Sequence, residues 1–113
     1  MNRTVRKLGC LNEYNLFVRA HKYVIIKAGA TWCGPCQRIK DLFNSLAFKM
    51  PSEFVIGLVD IDDAPCIKRK LHINSVPFIA NVIDGEVMDV MTGSDEKQIH
   101  DLFNKSKNRL EIK

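Results

Sequence analysis

Apolar residues along this chain fall into short continuous runs that alternate with sets spaced three and four apart. Tyr23-Val24-Ile25-Ile26 is a β-rich run without polar alternation, the pattern of a central strand covered on both faces. Phe54 to Ile61 reads the same way, and Phe78 to Ile83 opens a third such strand just after Val76-Pro77. From Pro35 the positions Ile39, Leu42, Phe43, Leu46, Ala47 and Met50 recur at helical spacing, predicting one helix that ends before Pro51. Ala64 to Leu71 predicts a short helix. Near the start, Thr4 to Leu8 is a weak strand, followed by a helix carrying Leu16, Phe17 and Ala20 with Asn12 placed to cap it. Asp84-Gly85 is a two-residue hairpin signal, and Glu86 to Met91 is the returning strand. Gly93-Ser94-Asp95-Glu96 then offers an N-cap with acids in the first turn, ahead of Ile99, Leu102 and Phe103.

The resulting order, βαβαβαββα, implies an α/β sandwich: a mixed central sheet with helices on both faces, parallel crossovers first and one antiparallel hairpin at the end. A length of 113 residues fits one domain, 1–113. With 46% hydrophobic and 27% charged residues the composition is that of a soluble globular protein. The longest uncharged stretch is the thirteen residues Leu71 to Ile83, short of the ~20 that a membrane-spanning helix needs, so no membrane association is expected. Met1 to Leu16 lacks a secretory h-region, making a reducing, cytoplasmic setting the expectation. Seventeen basic against thirteen acidic residues give a net charge of +4, below a nucleic-acid footprint. The basic residues are scattered (Arg3, Arg6 and Lys7; Lys68, Arg69 and Lys70; Lys105, Lys107, Arg109 and Lys113) and read as solvated faces.

Two of the four cysteines form Cys33-Gly34-Pro35-Cys36 at a predicted strand-to-helix turn. Unpaired N–H groups at a helix start stabilise a thiolate and lower its pKa from about 8.5, which makes Cys33 the candidate nucleophile. Cys36, one turn further in and less exposed, is the candidate resolving cysteine. Pro35 lacks an N–H that a first turn would leave unpaired, Gly34 leaves room for a substrate backbone, and Trp32 gives an apolar shoulder. Cys10 and Cys66 read as small buried or half-buried hydrophobes, although Cys66, following Pro65 in a first helical turn, has a setting suited to regulatory oxidation or disulfide-linked dimerisation. A zinc site from Cys33, Cys36, Cys66 and His72 is the competing reading, disfavoured by the absence of a second close cysteine pair. His21, His72 and His100 read as surface residues.

Ala30-Thr31-Trp32-Cys33-Gly34-Pro35-Cys36, Asp60-Ile61-Asp62, Val76-Pro77, Asp84-Gly85-Glu86 and Gly93 together resemble the thioredoxin family in order and spacing, over about residues 5 to 105. The resemblance implies the thioredoxin-like three-layer fold and a cis peptide at Val76-Pro77 facing the cysteines. It also implies a groove made from Trp32, Gly34, Pro35, Val76, Pro77 and the Thr92-Gly93 turn, where an extended substrate binds as an added strand. The activity implied is thiol–disulfide exchange that reduces protein disulfides, with no metal or organic cofactor. The partners implied are disulfide-containing proteins, such as ribonucleotide reductase or peroxide-scavenging enzymes, and a thioredoxin reductase as electron donor; a monomer is expected.

The chain departs from the family pattern at one chemically important position. The family's buried Asp, six residues before the nucleophile, is Lys27 here, and the Lys that commonly pairs with it is matched by Leu58. A buried Lys either titrates low and acts as a general base, or stays charged and stabilises the dithiolate, or snorkels away as a filler. The charged case raises the reduction potential and leaves a disulfide oxidase or isomerase open as an alternative. A third reading is a binding subunit that uses the groove without redox chemistry. Ala28, Gly29 and Phe78 also differ from the family's usual residues and make the groove floor smaller and more apolar.

Overall fold

A computed structural model describes residues 3–110; Lys113 of the C-terminal basic cluster lies outside them. Five strands, β1 (Val5–Lys7), β2 (Tyr23–Gly29), β3 (Phe54–Asp60), β4 (Phe78–Ile83) and β5 (Glu86–Thr92), form one sheet in the order β1-β3-β2-β4-β5. β1 and β2 run parallel to β3, whereas β4 is antiparallel to both β2 and β5. The helices are α1 (Leu11–Ala20), α2 (Gly34–Arg38), α3 (Lys40–Phe48), α4 (Pro65–Lys70) and α5 (Glu96–Asn108).

Alternation along β2 divides the core into two layers. Val24, Ile26 and Ala28 pack with Phe17 and Val18 of α1 and Ile67 of α4. Tyr23 and Ile25 pack with Phe43 of α3 and Ile99, Leu102 and Phe103 of α5. Val24, Ile25 and Ile26 are all 0% exposed, so the absence of alternation read from the sequence reflects burial on both faces. Each such side chain contributes about 1.5–3 kcal/mol by leaving water. Gly57 sits where a Cβ would lie 2.7 Å from Ile26 Cδ1 and 2.9 Å from Leu8 Cδ1, which permits the close fit of that layer.

Several expectations need correction. The helix beginning at the cysteine motif is two segments, because Ile39 departs from helical geometry (φ −92°, ψ −1°) as its side chain turns into the core. No Gly or Pro marks that break, so spacing alone could not show it. Helix α1 begins at Leu11, so Asn12 is inside it and Cys10 is the N-cap without a side-chain cap bond. Gly9 N–H instead donates to Glu13 Oε1 at 2.6 Å. The buried face of α1 is Tyr14, Phe17 and Val18, while Leu16 is 55% exposed and Ala20 is also exposed. Cys10 is exposed rather than a core filler, whereas Cys66 is half-buried against the core as expected. His21 is half-buried with its ring 5.0 Å from that of Phe17, and His72 and His100 are exposed.

Nor is Arg3 a solvated charge. Its guanidinium donates to the carbonyls of Phe54 (2.7 Å), Pro51 (3.0 Å), Phe48 (3.4 Å) and Met50, three of which belong to the end of α3 and the turn after it. His72 ends α4 in the left-handed region (φ 56°), a role usually taken by Gly. The hairpin follows expectation: Asp84 (φ 52°) and Gly85 (φ 81°) both have the positive φ of its two-residue turn. Asp95 caps α5 by accepting from Lys97 N–H at 2.8 Å and Gln98 N–H at 3.3 Å. Asp89 on β5 accepts from Arg109 at 2.7 and 3.1 Å and from the buried Asn81 amide at 3.0 Å. The Arg109 hydrogen bond foremost holds the Asp89 carboxyl below its usual pKa.

Phe43 is 1% exposed and meets Phe103 edge-on at 5.4 Å, whereas Phe48 on the same helix is 67% exposed. Phe43→Ala is therefore expected to cost about 3–5 kcal/mol in urea denaturation. Phe48→Ala is expected to stay within about 0.5 kcal/mol of the parent. Equal costs would contradict this account of the core.

Candidate functional site

The site lies at the C-terminal end of β2, where the sheet changes from a parallel neighbour, β3, to an antiparallel one, β4. After Gly29 the chain turns through Ala30 to Trp32 and enters α2, with Cys33 as N-cap and Pro35 in the first turn. Cys33 and Cys36 form a disulfide, their Cα atoms 5.3 Å apart. Cys36 N–H points at Cys33 Sγ, 3.1 Å away, so a backbone donor faces the sulfur expected to carry charge. The two cysteines are nearly equally buried, at 4% and 6% exposed, so Cys36 is not the less accessible of the pair in the disulfide form.

The antiparallel register pairs Ala28 with Phe78, which brings the segment before β4 to the same end of the sheet. Val76-Pro77 is cis, and Val76 O lies 3.8 Å from Cys33 Sγ. Gly93 N–H donates to Pro77 O at 2.9 Å, joining the Thr92-Gly93 turn to that segment. Gly93 has φ 100°, which a side chain would strain. Around Cys33, Trp32 is 66% exposed, Gly34 and Thr92 are exposed, Pro35, Val76 and Gly93 are half-buried, and Pro77 is buried. Trp32 is held by its indole N–H, which donates to Asp62 Oδ2 at 2.8 Å. Asp60 organises the same loop, its Oδ1 accepting from Asp62 N–H at 2.9 Å.

Lys27 stands apart from these residues. It lines a 340 Å³ cleft together with Cys36, Gly29, Asp60 and Lys40; Trp32, Cys33, Val76 and Pro77 do not border that cleft. Its register partner on β3 is Leu58, so the position opposite holds no carboxylate. Lys27 Nζ lies 4.9 Å from the Phe43 ring centroid. Burial, and secondarily the charge of Lys40, push its pKa down.

Lys40 belongs to this neighbourhood but was not singled out from the sequence; Gly29, read there as groove floor, borders the Cys36 cleft, and Asp62, read only as part of a motif, holds Trp32. A Cβ at Gly29 would lie 3.3 Å from Cys36 Sγ, so the absence of a side chain makes room for that sulfur. Cys66 and His72 lie on α4 and just after it, and among the described residues no three His, Cys, Asp or Glu side chains gather as metal ligands.

A paired Cys-x-x-Cys at a helix start, set against a cis-proline segment at one end of the interior strands of a mixed five-stranded sheet, defines a dithiol–disulfide oxidoreductase. The Thioredoxin family model matches residues 9–105, and the chain belongs to the thioredoxin family. It is 31% identical to a thioredoxin of Coprinus comatus, over 90% of this chain and 97% of that protein. It is 27% identical to a thioredoxin of Gallus gallus, over 86% and 93%. Among solved structures, the reduced Schistosoma mansoni thioredoxin pre-protein superposes with a TM-score of 0.82 at 27% identity, covering 90% of this chain and 97% of that one. Plasmodium falciparum thioredoxin shares the fold, with a TM-score of 0.83 at 24% identity over 88% and 97%.

With its folded pKa below the unfolded value, Lys27 destabilises the protein at every pH below the ordinary lysine value, and most where both states bind the proton. That penalty is relieved as pH rises from the lowered pKa toward the ordinary lysine value. Lys27→Met is therefore expected to raise the urea midpoint at pH 7 and to remove the alkaline rise in stability. An unchanged midpoint would mean that Lys27 pays no burial cost.

Proposed function

We propose that this chain, acting as one thioredoxin-like domain, reduces protein disulfides through Cys33 and Cys36. The Cys33 thiolate attacks one sulfur of a substrate disulfide, and the other substrate sulfur leaves as a thiolate that takes up a proton. Cys36, deprotonated, then attacks Cys33 Sγ in the mixed disulfide, expelling the second substrate sulfur and leaving Cys33–Cys36 oxidised. Two electrons pass from the dithiol to the substrate. The observation that carries this reading is the donor geometry at Cys33, with Cys36 N–H 3.1 Å from its sulfur.

The substrate is an extended segment bound across Trp32, Gly34, Pro35, Val76, Pro77, Thr92 and Gly93. Support comes from the exposure of Trp32, Gly34 and Thr92 beside Cys33 and from the short distance between Val76 O and Cys33 Sγ. Lys27 takes the Cys36 proton across the cleft that both residues line; burial favours its neutral form. A thioredoxin reductase regenerates the dithiol. A monomer suffices, since one chain supplies both sulfurs and the groove. The unpaired thiols of Cys10 and Cys66 suit a reducing compartment such as the cytoplasm.

One observation favours a second reading, disulfide oxidation or isomerisation. The Phe43 ring beneath Lys27 Nζ stabilises the ammonium, and a charged Lys27 near Cys36 favours the reduced pair.

Cys36→Ser is expected to accumulate a mixed disulfide with a protein substrate through Cys33, and Cys33→Ser to form none, as read by non-reducing electrophoresis and mass spectrometry. Lys27→Met is expected to slow resolution about 100-fold at neutral pH without slowing the first attack. A mixed disulfide formed through Cys36 alone would overturn the assignment.

A further inference from the structure

The cleft behind Cys36 carries more positive charge than the proton transfer to Lys27 requires. Lys7 from β1, Lys27 from β2 and Lys40 from α3 converge on it, against the single carboxylate of Asp60. Asp60 is already engaged, its Oδ1 accepting from Asp62 N–H at 2.9 Å and Asp63 N–H at 3.4 Å. Among the described residues none of the three lysines has a carboxylate within ion-pair distance; the Arg109–Asp89 pair joins α5's C-cap to β5 instead. Thr31 and Gln37 add neutral hydrogen-bonding groups to the wall. The volume, 340 Å³, accommodates a small polyatomic anion.

We propose that this cleft binds a phosphate dianion, either inorganic or as the phosphate ester of a small metabolite. With Lys27 protonated, three ammonium groups and one carboxylate leave two positive charges, which a dianion neutralises; the ligand thereby favours the Lys27 ammonium over the neutral amine that the exchange reaction uses. Lysines meet phosphate as flexible point charges and need no planar alignment, and these three reach the cleft from separate elements. Burial foremost, and the charge of Lys40 second, lower the pKa of Lys27, and a bound anion offsets both by giving the ammonium a counter-charge.

Because Cys36 lines the same cleft, the ligand senses the redox state. A dianion there opposes a Cys36 thiolate, so the disulfide form holds it more tightly, and by linkage the ligand makes the couple more reducing. This coupling rests on the exchange chemistry proposed above; the binding itself does not.

The test is titration of the full chain with inorganic phosphate at constant ionic strength, following backbone amide resonances in the oxidised and reduced forms. Saturable shifts at Thr31, Gln37 and Lys40 are expected, with chloride producing none. Lys40 and Lys7 are exposed, so Lys40→Gln and Lys7→Gln are expected to fold. Each should weaken phosphate binding about tenfold. Reduction of the protein should weaken it about fivefold at a pH where Cys36 ionises. Glucose 6-phosphate in a parallel titration identifies the source: tighter binding than inorganic phosphate supports an ester, and equal binding supports the free anion. Unsaturable shifts, shifts reproduced by chloride, or unchanged affinity in the Lys7→Gln/Lys40→Gln double variant would overturn the site. Disulfide reduction assayed without phosphate separates the claims, since a parent protein that binds phosphate but reduces no disulfide contradicts only the exchange chemistry and the coupling that rests on it.

Discussion

The register of β2 between β3 and β4 is the constraint on which the site depends. Its parallel pairing with β3 sets Lys27 beside Leu58, and its antiparallel pairing with β4 sets Ala28 beside Phe78. A slip of one residue would move Lys27 into the α1 and α4 layer and bring Val24, Ile26 and Ala28 to the other face. It would also carry the segment before β4 away from Cys33. Burial of Val24, Ile25 and Ile26 on both faces penalises any such slip, so core packing fixes the distance between the Cys33 sulfur and the Val76 carbonyl.

The two sides of the disulfide have different chemical surroundings. Cys33 faces the cis-proline segment and an exposed indole, which suits contact with an extended chain. Cys36 borders a cationic cleft in which the buried carboxylate common in the family is replaced by Lys27. A half-buried ammonium with no carboxylate partner among the described residues carries a desolvation cost that a neutral amine avoids, and the Phe43 ring offsets part of it. How those terms balance determines whether the pair donates electrons readily.

Much of this architecture was legible in the sequence because the signals were local and strong. The uninterrupted run at Tyr23–Ile26, the Asp84-Gly85 turn and the Pro35 helix start each encode a backbone preference, and each element is present. The Cys33–Cys36 spacing and Val76-Pro77 were readable as motifs, and the Lys27 substitution as a departure from one. What escaped depended on tertiary packing. The interruption at Ile39 carries no Gly or Pro signal, and α1 buries Tyr14 and Val18 in place of Leu16 and Ala20, a choice of face that packing against the sheet and α4 decides. Arg3 meets the end of α3 across 45 or more residues, a contact that no local pattern carries. The place of Lys40 beside the cleft, and the roles of Gly29 against Cys36 and of Asp62 at Trp32, escaped for the same reason.

The most direct test of the central claim is the equilibrium reduction potential of the Cys33–Cys36 couple against a glutathione or dithiol buffer. A protein-disulfide reductase in which Lys27 is substantially neutral should show a value near about −270 mV. A value of roughly −200 to −120 mV would contradict that account and assign the couple to disulfide isomerisation or oxidation, with a charged Lys27 stabilising the reduced form.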